Sequence, residues 1–413
     1  MSQIRPFKAV RPTKEYAKKV AALPYDVMSS EEAREMVKGN EYSFLHVDRG
    51  EIDLPVGTDI YSNEVYQKAK ENLEKLINNG ILVEDEKPCF YIYRQIWKGR
   101  AQTGLVACAS VDDYINNVIK KHEKTRADKE VDRLNHVNIL DANTGPIFLT
   151  YRPNQNVRAI ITDWISSHDT ACDFVSDDVK QTVWVIDDEK TIENIAKLFT
   201  DIPDLYIADG HHRCASAVRV AQLRREEHPD FTGDEEFNFF LSVLFPSDEL
   251  KIMDYNRVIK DLNGLTEKEL LEKIGEKFET QKVGKNAYSP VRQHNFGMYL
   301  NGEWYSLTAK DNTFDANDAV DSLDVSILQN NLISPVLGID NPKTDKRIDF
   351  VGGIRGLGEL ERRVKNGWAL AFSMYPTSLA ELMRIADENF LMPPKSTWFE
   401  PKLLSGLFIH KLK

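Results

Sequence analysis

Cysteine is scarce in this chain: Cys89, Cys108, Cys172 and Cys214 are its four cysteines in 413 residues, and no two stand in a CxxC spacing. That argues against a disulfide-stapled scaffold and against structural zinc, and it fits a reducing compartment. Long apolar runs are missing too, since no stretch approaches the roughly 20 consecutive apolar residues that a membrane-spanning helix needs. The opening MSQIRPFKAVRPTKEY lacks the apolar centre of a signal peptide, so the expectation is a cytoplasmic protein without a membrane partner. Basic charge is in deficit, 53 Lys and Arg against 65 Asp and Glu for a net charge of −12. A long-range attraction to nucleic acid is therefore not expected, although a local basic pocket is still allowed.

What the sequence does have is apolar residues, 42% of the total, spread along its length in alternating strand-like and helix-like segments. This predicts an α/β (α+β) chain with mixed sheets and two or three domains. The boundaries read from it are an N-terminal α/β region over 1–100, a core over 101–250 and a C-terminal α/β region over 251–413. Val65, Ala69, Leu73, Leu76 and Ile77 trace one helical face that ends at Gly80. CFYIYRQIW and GLVACASV, separated by KGRAQ, read as a hairpin. TVWVIDDEKTIENIAKLF reads as strand, acidic cap and helix, and FNFFLSVLF as a buried strand. Thr266 with Glu269, and Ser378 with Glu381, have capping-box spacing, and Asn301-Gly302 marks a second hairpin.

Chemistry concentrates in DLYIADGHHRCASA, residues 204–217. LYIA has strand composition, Asp209-Gly210 ends it, and good helix formers follow from Arg213, so the two histidines fall at a helix start. There the backbone N–H groups lack intrahelical partners and the helix dipole favours an anion. Gly210 allows close backbone approach, and the Arg213 fork suits phosphate or carboxylate. The plainer alternative is a capping histidine and an arginine paired with an acidic neighbour. His211 and His212, being adjacent on a helix, do not face the same way and make a poor chelating pair. Asp209 is the candidate metal ligand, holding Mg²⁺ if a nucleotide supplies the remaining ligands. Cys214 is expected on the inward face of the helix.

ADGHHRCASA and MPPKSTWFEPKLLSGL, together with LPYDV at residues 23–27 and KKHEKT at 120–125, resemble domain-of-unknown-function family 1015 over nearly the whole chain. The strand followed by a Gly-His-Arg type turn also resembles the ParB/sulfiredoxin-like fold, whose members hold nucleotide phosphates at that turn. Free-serine kinases of that superfamily share an Asp-Gly-His-His-Arg motif like residues 209–213, together with an upstream hydrophobic-x-x-His-Glu element similar to VIKKHEKT. The resemblance implies that Glu123 acts as base on a hydroxyl group, with Lys121 standing where the element usually has proline. His211 occupies the place of the sulfiredoxin cysteine, so peroxide-repair chemistry is not implied. DNA binding of the ParB type is disfavoured by the acidic balance.

Other candidates are weighed on their residues. Glu123, Lys124, Thr125 and Arg126 join a carboxylate to basic and hydroxyl groups, as hydroxyl activation beside a phosphate requires. The surrounding run 122–136 reads equally as a solvated helix face, with Arg133 a further pocket candidate. Lys395-Ser396-Thr397 offers a lysine and two hydroxyls to an anion, or else a structural turn, and it lacks the glycines of a P-loop. Tyr25 and Asp26 of LPYDV are raised by the family resemblance to candidates for lining the same pocket. The expected activity is phosphoryl transfer between ATP or ADP, with Mg²⁺, and a small hydroxyl metabolite, free serine or phosphoserine being the specific expectation and the direction left open. In that reading Asp209, His211, His212 and Glu123 are catalytic, and Gly210 and Arg213 hold phosphate with Lys124 and Thr125. The competing expectation is a regulator that binds a nucleotide or metabolite without turning it over.

Overall fold

The structure is a computed structural model describing residues 2–125 and 127–413; Arg126, one of the candidates above, lies outside the described residues. β-branched and aromatic residues dominate Phe90–Trp97 and the following Arg100–Ser110, and Lys98 and Gly99 between them both have positive φ (49° and 77°). Two such residues form the tight turn whose twist matches paired strands. The loop is thus two residues long, shorter than the KGRAQ expected, because Arg100 to Gln102 already pair across the hairpin.

This hairpin is the middle of a nine-stranded mixed sheet in the first of two compact units, which comprises residues 1–250 and 401–413. In chain order its strands are β1 (Ile4–Arg5), β2 (Phe90–Trp97), β3 (Arg100–Ser110), β4 (Ile119–Lys120), β5 (Ile147–Tyr151), β6 (Cys172–Ser176), β7 (Val179–Ile186), β8 (Leu205–Asp209) and β9 (Phe239–Pro246). They lie in the order β4-β8-β5-β9-β3-β2-β7-β6, with β1 on β3. The pairs β4–β8 and β5–β9 are parallel and the others antiparallel.

The helices that matter here are α1 (Asn63–Asn78), α2 (Ala127–Leu140), α3 (Gln155–Ser167), α4 (Glu189–Thr200) and α5 (His211–Glu227). Their ends follow the sequence: Asp188 caps α4 through the Thr191 N–H at 2.9 Å. Val157 and Trp164 of α3, Ile195 and Phe199 of α4, and Cys214, Ala217 and Ala221 of α5 cover Ile92, Leu105, Leu149 and Ile207 of the sheet in one apolar core. Each large side chain buried there contributes about 1.5–3 kcal/mol.

A domain break near residue 100 does not fit this arrangement, because residue 100 begins a central strand. The tail also departs from the expected C-terminal region. Residues 401–413 belong to the first unit, where His410–Lys411 pairs with Ala142–Asn143 and single bridges join Val10 to Ile409 and Ala22 to Ser405.

The second unit, 251–400, is a six-stranded sheet of β10 (Tyr255–Ile259), β11 (Phe278–Gly284), β12 (Asn295–Leu300), β13 (Glu303–Ala309), β14 (Ile348–Gly352) and β15 (Leu370–Ser373), in the order β11-β13-β12-β15-β10-β14. The Asn301-Gly302 hairpin joins β12 to β13, and both expected capping boxes close, on helices α6 (Glu267–Lys277) and α7 (Leu379–Asp387).

Candidate functional site

Strand β8 is inserted between β4 and β5, and Leu205, Tyr206 and Ile207 are wholly buried, as befits a strand covered on both faces. The chain must then reverse into α5 within one residue. Gly210 does this at φ 93° and ψ 31°, a left-handed conformation in which a side chain would be strained. Helix α5 starts at His211, two residues before the expected onset. Glycine supplies no side chain to cap the first-turn N–H groups, so the helix start keeps donors and a partial positive charge for an anion.

Arg213 folds back on this turn. A Cβ added to Gly210 would stand 3.2 Å from Arg213 Nε and 3.3 Å from Cζ, so the missing side chain is what lets the guanidinium lie there. One terminal nitrogen donates to the Pro146 carbonyl at 2.6 Å, while the buried Nε has no hydrogen-bond partner. Asp209 faces the same turn: Oδ1 accepts the Gly210 N–H at 2.8 Å and Oδ2 pairs with Lys402 Nζ at 2.9 Å. Burial pushes the Asp209 carboxyl up, but Lys402 and then Arg213 outweigh it and hold the group well below the usual carboxylate range.

The segment carrying Glu123 runs beside this turn because β4 is parallel to β8, Leu205 opposite Ile119 and Tyr206 opposite Lys120. Beyond the paired residues the two segments remain in contact. The rings of His122 and His211 meet edge to face, with centroids 4.4 Å apart and planes at 89°, and the His122 N–H points to His211 Nε2 at a long 3.5 Å. Both residues are buried, and neither ring nitrogen of His122 has a hydrogen-bond partner. Burial pushes the His122 imidazole down to about 4, against smaller opposite effects of Asp209 and the nearby Ile207 carbonyl. Burial, followed by His122 itself, holds His211 well below its ordinary value. Both rings are therefore neutral at pH 7.

A stability effect follows, with a definite sign. The unfolded chain takes up a proton at His122 near 6.5 and the folded chain only near 4, so stability is full above 6.5 and falls as the pH drops through that window. The gap between 6.5 and about 4 corresponds to about 3 kcal/mol. Urea midpoints measured between pH 7.5 and 4.5 should fall, and His122→Gln should flatten the slope. An unchanged slope in the variant would remove His122 from this account.

Of the remaining candidates, Glu123 is half-buried and Lys124 exposed, and Thr125 donates its hydroxyl to Glu130 of α2. Tyr25 and Arg133 do come together with Arg213 around one cavity, whereas Asp26 is exposed. Arg133 is 9% exposed and its neighbour Asp132 6%, so the run 122–136 is not simply a solvated face. Lys395–Thr397 lies in the second unit; there Lys395 has φ 59° and the buried Ser396 donates to the Pro393 carbonyl at 2.6 Å, which describes a turn. Cys214 is fully buried in the core, and burial raises its thiol far above the ordinary value. Among the described residues no group of three or more His, Cys, Asp and Glu side chains could hold a metal ion, and no helix is long and apolar enough to cross a membrane.

Two residues of the site escaped the sequence reading. His122 stood beside Glu123 without being singled out. Lys402 sits 193 positions from its partner Asp209; its one signal was a lysine ahead of the apolar LLSGLFI run.

The chain is thus a mixed α/β protein in which a glycine joins a buried strand to a helix, with Arg213 and Asp209 beside the turn. The chain belongs to DUF1015, described as a protein of unknown function, whose family match spans residues 4–326. No curated protein matches. Solved structures to which it is similar include a free serine kinase in complex with AMP, at 14% identity over 71% of this chain and 86% of that one with a TM-score of 0.35. They include also a conserved hypothetical protein from Pyrococcus furiosus, at 14% identity over 73% and 92% with a TM-score of 0.33. A third is SbnI with a C-terminal truncation from Staphylococcus aureus, at 10% identity over 72% and 85% with a TM-score of 0.39.

Proposed function

We propose that this protein is a phosphotransferase that exchanges a phosphoryl group between ATP or ADP and a small hydroxyl metabolite, free serine or phosphoserine being the specific reading. The observation that carries it is the Gly210 turn: an uncapped helix start with the Arg213 guanidinium laid against the glycine and its buried Nε unpartnered. A buried donor left without an acceptor is costly, and a phosphate oxygen answers it beside the backbone N–H groups at the helix start.

Phosphoryl transfer asks the protein mainly for positioning and charge neutralisation. Gly210 and Arg213 bind the phosphates, and His212 in the first helical turn borders them. His211, buried against His122, positions the Glu123 segment beside the turn. Glu123 takes the proton of the substrate hydroxyl; the oxygen then bonds to the terminal phosphorus as the bond to the nucleotide's bridging oxygen breaks, and the shortened nucleotide leaves. The same steps reversed remove phosphate from phosphoserine. Asp209, kept anionic by Lys402, suits a site where Mg²⁺ arrives with the nucleotide, since Mg²⁺ is commonly held by one or two carboxylates plus phosphate oxygens. When bound, the ion would neutralise phosphate charge.

Binding is tested by thermal shift with ATP, ADP, serine and phosphoserine. A nucleotide or phosphoserine at 100 times its dissociation constant should stabilise the native state by about 2.7 kcal/mol, a readable shift. No shift with any of these ligands would overturn the reading.

A further inference from the structure

Within the first unit a cavity of about 30 Å³ lies between α2, α5 and the tail, walled among others by Tyr25, Asp48, Arg133, Thr144, Arg213 and Ser405. One water needs roughly 10–15 Å³ by this measure, so the space suits a group of carboxylate size rather than a whole metabolite. Its lining is mixed. Arg133, Arg213 and Asp48 stand in it beside apolar Val137, Ile147, Ala217 and Leu241, and the Asp48 Oδ1 already accepts the Thr144 hydroxyl at 3.1 Å.

Arg133 is held rigidly for such a role. Its Nε donates to Asp132 Oδ2 at 3.0 Å, its guanidinium carbon lies 3.9 Å from the centre of the Tyr25 ring, and the second Asp132 oxygen accepts the Tyr66 hydroxyl at 3.0 Å. Arg213 lies against Gly210 and also lines this cavity. It therefore stands between the phosphate-receptive turn and the cavity. His136 on the same wall donates Nε2–H to the Val47 carbonyl at 3.1 Å and adds no charge while neutral. Within this lining the two guanidinium groups are the parts that a carboxylate can pair with.

We propose that this cavity is a carboxylate subsite, formed by Arg133, Arg213 and Tyr25, which selects hydroxy-acid or amino-acid substrates over hydroxyl compounds lacking a carboxylate. The proposal rests on the phosphotransfer reading and adds to it the substrate class and the residues that recognise it. Tyr25 keeps its phenol proton, since burial raises the group to about 12, and so it can donate to the anion.

The test is isothermal titration of the full chain with phosphoserine and with phosphoethanolamine, which differ by the carboxylate. Phosphoserine should bind the wild-type protein at least about tenfold more tightly, as a charge-assisted hydrogen-bonded contact implies. R133Q/D132N removes the arginine together with the charge that depends on it, and should erase this preference while leaving phosphoethanolamine affinity unchanged. Should that variant not fold, Arg133→Lys keeps the ion pair but loses the planar fork, and should narrow the preference. Equal affinity of the wild type for the two ligands, or a preference undiminished in a folded variant, overturns the subsite and leaves the phosphotransfer reading standing. Binding of neither ligand overturns the subsite, and the phosphotransfer reading falls with it only if ATP, ADP and serine fail to bind as well.

Discussion

Glu123→Gln is expected to lower phosphoryl transfer by roughly 10²–10⁴-fold, the usual contribution of a positioned general base, while nucleotide affinity stays as in the wild type. Glutamine keeps the size of the side chain and removes its ability to take a proton, so the loss should appear in kcat rather than in nucleotide binding. The reason to look here is local. Parallel pairing of β4 with β8 and the edge-to-face contact of His122 with His211 bring the segment that carries Glu123 to the start of α5. A variant that turns over at the wild-type rate would assign the proton to another group.

Arg213→Ala is expected to weaken nucleotide binding by roughly 10- to 150-fold, corresponding to the 1.5–3 kcal/mol of a hydrogen bond to a charged group. Arg213→Lys should recover little of this, because an ammonium lacks the planar fork. The substitution also leaves the Pro146 carbonyl without its donor, so a thermal melt must accompany the titration with ADP. Loss of ADP affinity in a protein that melts normally supports the phosphate role. Unchanged affinity would make Arg213 a structural strut between Gly210 and Pro146.

The sequence made the local geometry of this turn legible, and particular residues show where it stopped. The Asp209-Gly210 turn could be read because glycine is the residue that tolerates φ 93° between a buried strand and a helix. The hairpins and capping boxes could be read because their chemistry is local. Lys402 could not, since a salt bridge across 193 positions leaves no periodic trace. The cavity was visible only in fragments: Tyr25, Arg133 and Arg213 were each suspected, but Asp48 and Thr144, 96 positions apart, have no spacing that announces them. The tail was misassigned for a related reason. A break at residue 250 looks like a linear boundary, and nothing in residues 401–413 says that they return to pair with Ala142–Asn143.

The same distinction explains Lys395–Thr397. A lysine followed by two hydroxyl residues suggests an anion site only while its backbone is unknown. In the folded chain Ser396 donates to Pro393 and the Thr377 hydroxyl donates to the Ser396 carbonyl at 2.9 Å, so the Ser396 groups are occupied in shaping a turn.

Phosphorus NMR of the purified protein with ATP or ADP, Mg²⁺ and serine reads phosphoryl transfer itself. The terminal nucleotide phosphate resonance should decline as a phosphomonoester resonance grows, and neither change should occur with Glu123→Gln. A nucleotide that binds while every phosphorus resonance stays as it was, for serine and in the reverse direction from phosphoserine, would make the protein a binding regulator and not a phosphotransferase.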